Sequence, residues 1–220
     1  KLWCWPGEWK EMSRMTTDDY VGFPLTNTIR NEPQASVLNL DGHEVKLSED
    51  FGELCGWYLA EGCINKSRVD LTVNLSEMEY IKLLVEKHKS LFVSYSIYPR
   101  GNCAVFSIFG SKFSNFILNL LGEKSTKVIP DKFWLYGRSF VIGLLRGLFM
   151  GDGSNKVRGV VTFASIRPQL TVQLKRLIIS MRIGYPQINV EKANNRAGRN
   201  NKERWSLILS GKAATRFRDL

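Results

Sequence analysis

Histidine is nearly absent from this chain of 220 residues, which carries only His43 and His88. That scarcity excludes a histidine-driven nuclease and a Ser-His-Asp hydrolase, since both need an imidazole held beside a nucleophile or a water. Cysteine is little better supplied. Cys4, Cys55, Cys63 and Cys103 form no CxxC pair, so the close spacing of a zinc site is missing and reduced thiols are the expected state. No apolar run reaches the roughly 18 residues that a membrane helix needs, and no charged-then-apolar leader follows Lys1. An intracellular, soluble chain with no membrane partner is the expectation, and its start on Lys1 fits a piece of a longer polypeptide. Acidic residues run out toward the C-terminus: residues 154–220 hold 14 basic and 3 acidic side chains, against 5 and 9 in residues 1–50. The whole chain has a net charge of +10. So one-sided an excess suits a polyanion, because each basic side chain that meets a phosphate releases condensed counterions.

What the chain does contain is a repeat. "SEDFGELCGWYLAEG" (48–62) lies over "SFVIGLLRGLFMGDG" (139–153) at an offset of 91, with Ser48, Gly52, Leu54, Gly56 and Gly62 matched by Ser139, Gly143, Leu145, Gly147 and Gly153. Glu61 falls on Asp152. The first copy has the marks of a helix: Ser48 as N-cap, Glu49 and Asp50 in the first turn, and apolar residues at helical spacing. Gly62 is expected to close it in the left-handed conformation. Gly52, Gly56 and Ala60 stand four apart, as do Gly143, Gly147 and Gly151, giving each helix a face almost free of side chains. A mid-helix glycine costs about 1 kcal/mol against alanine, and close packing of one copy on the other would repay it. Glu61 and Asp152 would then arrive together at two helix C-termini, where the macrodipole disfavours negative charge. The alternative is a pair of ordinary polar caps. Two such acids side by side become favourable with a divalent cation between them.

"LCGWYLAEG" and "LRGLFMGDG" resemble the motif of the LAGLIDADG homing endonucleases, twice and at repeat spacing. The resemblance covers about residues 46–220. It implies an α+β fold of two pseudo-symmetric αββαββα repeats, residues 46–132 and 133–220, with Gly52, Gly56, Gly143 and Gly147 at the helix interface. Antiparallel sheets would form a saddle for DNA. It also implies a monomer that cuts a long, asymmetric double-stranded DNA site, with Glu61 and Asp152 as catalytic acids holding Mg2+, for which Ca2+ or Mn2+ could substitute. "EKSTKVIPDKF" resembles the family's Lys-x-Ile-Pro segment, which makes Lys127 a catalytic lysine; the alternative is a lysine on a solvated loop. The matching segment of the second copy would lie beyond Leu220. Asn74 and Ser165, each 13 residues past its acid, occupy a strand position where the family places polar groups near the metal.

The rest of each unit agrees in order. "RVDLTVNLS" alternates as a strand, "EMEYIKLLVEKHKSLF" and "SKFSNFILNLLG" are helical, and a hairpin turns near Gly101-Asn102. The second copy repeats this through "QLTVQLKRLIISMRIG" and "ERWSLILSG" to "KAATRFRDL". DNA contacts are expected from Arg68, Asp70, Thr72, Arg100, Asn102 and Arg158, and from Lys192, Arg196, Arg199, Lys202 and Arg204 around the basic loop "KANNRAGRNNKER". Residues 1–45 form a separate N-terminal segment. "WKEMSRMTTDDYVGFP" resembles the Hint module of inteins, which would make the endonuclease intein-derived; the alternative is an arm that packs on the first repeat. Two other functions stay open on the same fold: an RNA maturase and a DNA-binding protein without catalysis. Retention of both acids favours cleavage.

Overall fold

A computed structural model of the chain describes residues 2–5, 8–16, 20–21, 29–155, 158–193 and 202–220. Near the N-terminus β1 (Leu2–Trp5), β2 (Glu8–Lys10) and β3 (Tyr20–Val21) form a three-stranded antiparallel sheet. A hairpin of β4 (Val37–Leu40) and β5 (His43–Lys46) follows, with Asp41 (φ 51°) and Gly42 (φ 90°) at its tip.

The first repeat starts at α1 (Glu49–Glu61), where the Ser48 hydroxyl accepts from the Phe51 N–H at 3.2 Å as the capping pattern predicts. It continues through β6 (Gly62–Asn65), β7 (Arg68–Asn74), α2 (Met78–Lys87), β8 (Ser94–Arg100), β9 (Cys103–Phe109) and α3 (Ser111–Leu121). The second repeat runs from α4 (Arg138–Asp152) through β10 (Gly153–Ser154), β11 (Val160–Ser165), α5 (Pro168–Ser180), β12 (Gln187–Glu191) and β13 (Arg204–Ser210) to α6 (Gly211–Arg218). Both four-stranded sheets have the same antiparallel order, β6-β7-β9-β8 and β10-β11-β13-β12. The duplication read from five identities and one acidic pair in 15 aligned positions therefore extends over the whole of both units.

Period-2 alternation sorts the sheet faces. Val69, Leu71, Val73, Ala104, Phe106 and Ile108 are buried on the inner face of the first sheet; Val161, Phe163, Leu207 and Leu209 do the same in the second. Registers set Arg68 opposite Phe109, Asp70 opposite Ser107 and Thr72 opposite Val105, on the other face. Helix α1 lies beside α4 in the same direction, with Gly52 meeting Phe140 and Leu144, Gly56 meeting Leu144 and Leu148, and Gly151 meeting Ala60 and Glu61. A Cβ added at Gly52, Gly56, Gly143 or Gly147 would drive into a backbone carbonyl of the other helix, at Phe140, Leu144, Glu49 and Glu53 respectively.

One expectation is corrected. Gly62 does not end α1 in the left-handed region: its φ is −83° and its ψ 155°, and Gly153 matches at −89° and 164°. Each glycine instead begins a strand at once, and what excludes a side chain is the preceding turn, since a Cβ at Gly62 would lie 2.8 Å from the Tyr58 Cα. The later part of the N-terminal segment packs on both repeats. Leu40, Val45 and Leu47 are buried in the common core, and Asp41 pairs with Lys112 of α3. Gln34 and Ala35 N–H groups donate to the Leu135 carbonyl, and the Ile29 N–H donates to Ser180 O of α5.

Replacing a mid-helix glycine by alanine ordinarily stabilises a helix by about 1 kcal/mol. At Gly56 or Gly147 the sign should invert, with a loss of about 1–3 kcal/mol or more from overpacking. Urea denaturation of Gly56→Ala and Gly147→Ala checks this, and a gain in stability at either position would contradict the interface.

A candidate catalytic site between the two motif helices

The parallel course of α1 and α4 carries Glu61 and Asp152 to the same end of the interface, beside Gly151. Both are half-buried. Burial, then the charge of Asp152, pushes the Glu61 carboxyl above its usual range. Burial also raises Asp152, against the pull of Arg167, Lys127 and Arg204. Two carboxylates whose ionised forms are disfavoured stand at helix ends that repel negative charge, an arrangement that a cation between them would relieve.

Lys127 is at this site, as the sequence implied, but it is not on a solvated loop. It is 2% exposed, and its Nζ donates to the carbonyls of Tyr58 (2.6 Å), Leu59 (3.1 Å) and Gly62 (2.6 Å). The ammonium also stands 4.8 Å from the centre of the Tyr58 ring. Burial and the nearby Arg167 push its pKa down to about 8. Buried Ile129 and the Val128 N–H, which donates to the Leu121 carbonyl at 3.0 Å, anchor the segment. A second anchor crosses to the other repeat, where the Gln173 side chain of α5 accepts from the Ile129 N–H at 2.9 Å.

Arg167 was not among the sequence candidates. It precedes α5, its Nε donates to the Lys124 carbonyl at 2.7 Å, and its charge acts on Glu61, Asp152 and Lys127. No motif marks it; it reaches the site because the second repeat folds against the lysine segment of the first.

Asn74 and Ser165 are not equivalent. Gly62 pairs with Leu71 but Gly153 pairs with Phe163, so the second repeat is one residue longer between those points and the offset slips from 91 to 92. Asn74 consequently lies on the open face and Ser165 on the inner face opposite Trp205, 6% exposed. Both side chains serve local turns: Asn74 accepts from Ser76 N–H at 3.0 Å, and Ser165 accepts from Arg167 N–H at 3.2 Å.

On the open face of the first sheet, Arg68 and Thr72 are half-buried while Arg100 and Asn102 are exposed at the hairpin tip. Asp70, expected at the DNA surface, is 7% exposed and is held by Arg68 at 2.9 Å and by the Ser107 hydroxyl at 2.7 Å. Its role in this structure is to orient Arg68. Arg158, Lys192, Lys202 and Arg204 are exposed around the second sheet, whereas Arg196 and Arg199 lie outside the described residues. Cys55 is buried and burial raises its thiol pKa, leaving it unreactive.

The donor set offered by Glu61 and Asp152 is hard oxygen only, and among the described residues no cluster of three His, Cys, Asp or Glu side chains occurs. Such a pair does not suit zinc. It fits Mg2+, which is commonly held by one or two carboxylates and completes its shell with water and phosphate oxygens.

Paired repeats, each opening with a glycine-striped helix that ends in an acid and covered on one sheet face by helices, define the LAGLIDADG architecture. The chain has that fold. Among solved structures it resembles the homing endonuclease I-DmoI in complex with DNA and Mn, with a TM-score of 0.56 and 13% identity, covering 79% of this chain and 96% of that one. It also resembles full-length WhiA from Thermatoga maritima, with a TM-score of 0.55 and 12% identity over 82% of this chain and 57% of that one. In sequence it is 29% identical over 209 residues to DNA-directed RNA polymerase subunit Rpo1C of Methanocaldococcus jannaschii, covering 91% of this chain and 23% of that protein. A DNA polymerase of Thermococcus hydrothermalis is 27% identical over 154 residues, 67% of this chain and 9% of that protein. The chain thus spans less than a quarter of the length of either relative. No protein-family model matches it.

The raised acids give the metal-free protein a signed pH dependence. The folded state keeps protons on Glu61 and Asp152 above the ordinary carboxylate range, so it binds more protons than the unfolded chain there and stability falls as pH rises through that window. Urea midpoints measured in chelator from about pH 4 to pH 7 should fall less steeply for Glu61→Gln than for the parent. An unchanged slope would deny the two acids their shared, buried environment.

Proposed function

We propose that this protein is a site-specific double-strand DNA endonuclease. The observation that carries the reading is the convergence of Glu61 and Asp152 at one end of the helix pair, with a four-stranded sheet springing from each of those helix ends. The open sheet faces bear exposed basic residues of the kind that position phosphates, and hairpin side chains such as Asn102 that can address base edges. The likeness to a homing endonuclease bound to DNA and Mn supports the same reading.

Glu61 and Asp152 would hold divalent metal, with Mg2+ first and Mn2+ or Ca2+ as substitutes. The metal supplies an activated water and neutralises charge on the phosphate when bound. The chain's own contribution is to hold two carboxylates together beside the buried Lys127 and to bring up Arg167 and Arg204, which would offset charge developing on the scissile phosphate. Since His43 and His88 are the only histidines and neither belongs to this site, solvent is the base. Two motifs in one chain supply both acids, so a monomer suffices and its asymmetric faces suit an asymmetric target. Matches to short stretches of both an RNA polymerase subunit and a DNA polymerase support an endonuclease carried as an insertion within unrelated host proteins, the intein-derived origin.

Plasmid and duplex libraries incubated with magnesium test the activity. Glu61→Gln and Asp152→Asn should each abolish double-strand cleavage while keeping metal-free DNA binding and equal or slightly higher stability, because repulsion at the helix ends is relieved. Full cleavage by either variant would return these acids to the status of caps. In the same binding assay, Arg100→Ala combined with Arg204→Ala should weaken affinity and reduce the salt slope by about one to two units if both meet phosphates.

A further inference from the structure

We infer that Lys127 is a positioning residue for Glu61 and not a group that contacts the phosphate; the inference rests on the reading of Glu61 as a metal ligand. An ammonium has three N–H donors and no acceptor. All three are used here, on Tyr58 O, Leu59 O and Gly62 O at 2.6, 3.1 and 2.6 Å. Two of these carbonyls belong to the last turn of α1 and the third to the first residue of β6, so Lys127 grips the chain on both sides of Glu61. It leaves no donor for a substrate, and it is shut from solvent at 2% exposure. A helix end of this kind has orphan carbonyls and a negative dipole. The lysine opposes the dipole and donates to Leu59 O and to Tyr58 O, which also accepts from the Gly62 N–H, and it fixes the point at which a helix becomes a strand within a single residue.

Among the described residues the other helix end has no such grip. At an offset of 91 the counterparts of Tyr58, Leu59 and Gly62 are Phe149, Met150 and Gly153. Among the described residues no ammonium donates to their carbonyls. All three line an open groove of about 420 Å³ between α4 and α6. Leu59 is fully buried, whereas Met150 is 39% exposed. Among the described residues the two acids are therefore held unequally: Glu61 follows a turn gripped by a buried ammonium, and no such clamp closes on the turn before Asp152.

The sign of one measurement separates positioning from charge. A cation that acts only through its field repels metal, so removing it raises metal affinity. A clamp that aims a ligand does the opposite, and loss of such support costs about 10-fold or more in affinity. Terbium(III) binding to the whole protein, read by tryptophan-sensitised luminescence without DNA, should weaken by about 10-fold or more in Lys127→Met. Lys127→Gln, equally neutral but still a donor to carbonyls, should fall between Lys127→Met and the parent. In an Asp152→Asn background the loss should persist; in a Glu61→Gln background it should vanish. Amide exchange should quicken at Glu61 and Gly62 in Lys127→Gln but not at Asp152 and Gly153. Unchanged or tighter terbium binding in Lys127→Gln, with Glu61 and Gly62 still protected, would overturn the inference, and it can be read even if Lys127→Met fails to fold. Failure of Glu61→Gln alone to weaken terbium binding would overturn the metal-ligand reading instead.

Discussion

The structure depends on how closely two polypeptide backbones can approach. Helices α1 and α4 meet along faces where Gly52, Gly56, Gly143 and Gly147 offer no Cβ, and each position is blocked to any other residue by a carbonyl of the neighbouring helix. Everything functional is measured from that seam. Each motif helix passes into a strand within one residue, so the distance between the helices also sets the distance between the two sheets and between the two acids. A larger side chain at the seam would spread the carboxylates and separate the open faces together.

The seam has an electrostatic cost, and the chain offsets it with cations from several elements. Glu61 and Asp152 are forced toward each other at helix ends that already carry partial negative charge. Lys127 comes from the segment after α3, Arg167 from the turn before α5 and Arg204 from β13. None is adjacent in sequence to either acid. Further back along the seam a second polar group is buried, Glu53, and its partners are more conventional: Tyr80 of α2 donates to it, and Arg146 of α4 reaches it while pairing with Glu49 at 2.7 Å. That cluster lies away from the acids and ties the helix pair to α2.

The repeat, the glycine seam and the convergence of the two acids were legible in the sequence, because each follows from periodicity or self-similarity over short range; the order of helices and strands came from the family resemblance, since the short strands β6 and β10 carry no alternation of their own. What could not be read depended on long-range registration. One additional residue between Gly153 and Phe163 moves Ser165 to the inner face, and an offset fixed on the helices gives no sign of it. Asp70 alternates as a surface residue should, yet its partner Ser107 is set by the pairing of β7 with β9. Arg167 has no pattern of its own. Gly62 invited a left-handed cap because such caps are common, whereas here an immediate strand leaves the residue extended and the glycine is required by the preceding turn.

The stretch from Ile29 to Leu47 spans both repeats. It is bound through Asp41 to α3 of the first, through Gln34 and Ala35 to the lead-in of α4, and through Ile29 to the end of α5 in the second. The linker between repeats, residues 122–137, already joins them once in the chain. A second crossing, hydrogen-bonded to Leu135 of that linker, doubles the tether, so that parting the lobes requires breaking the seam and peeling away the strap. The spacing of the two sheets therefore draws on a segment that belongs to neither repeat.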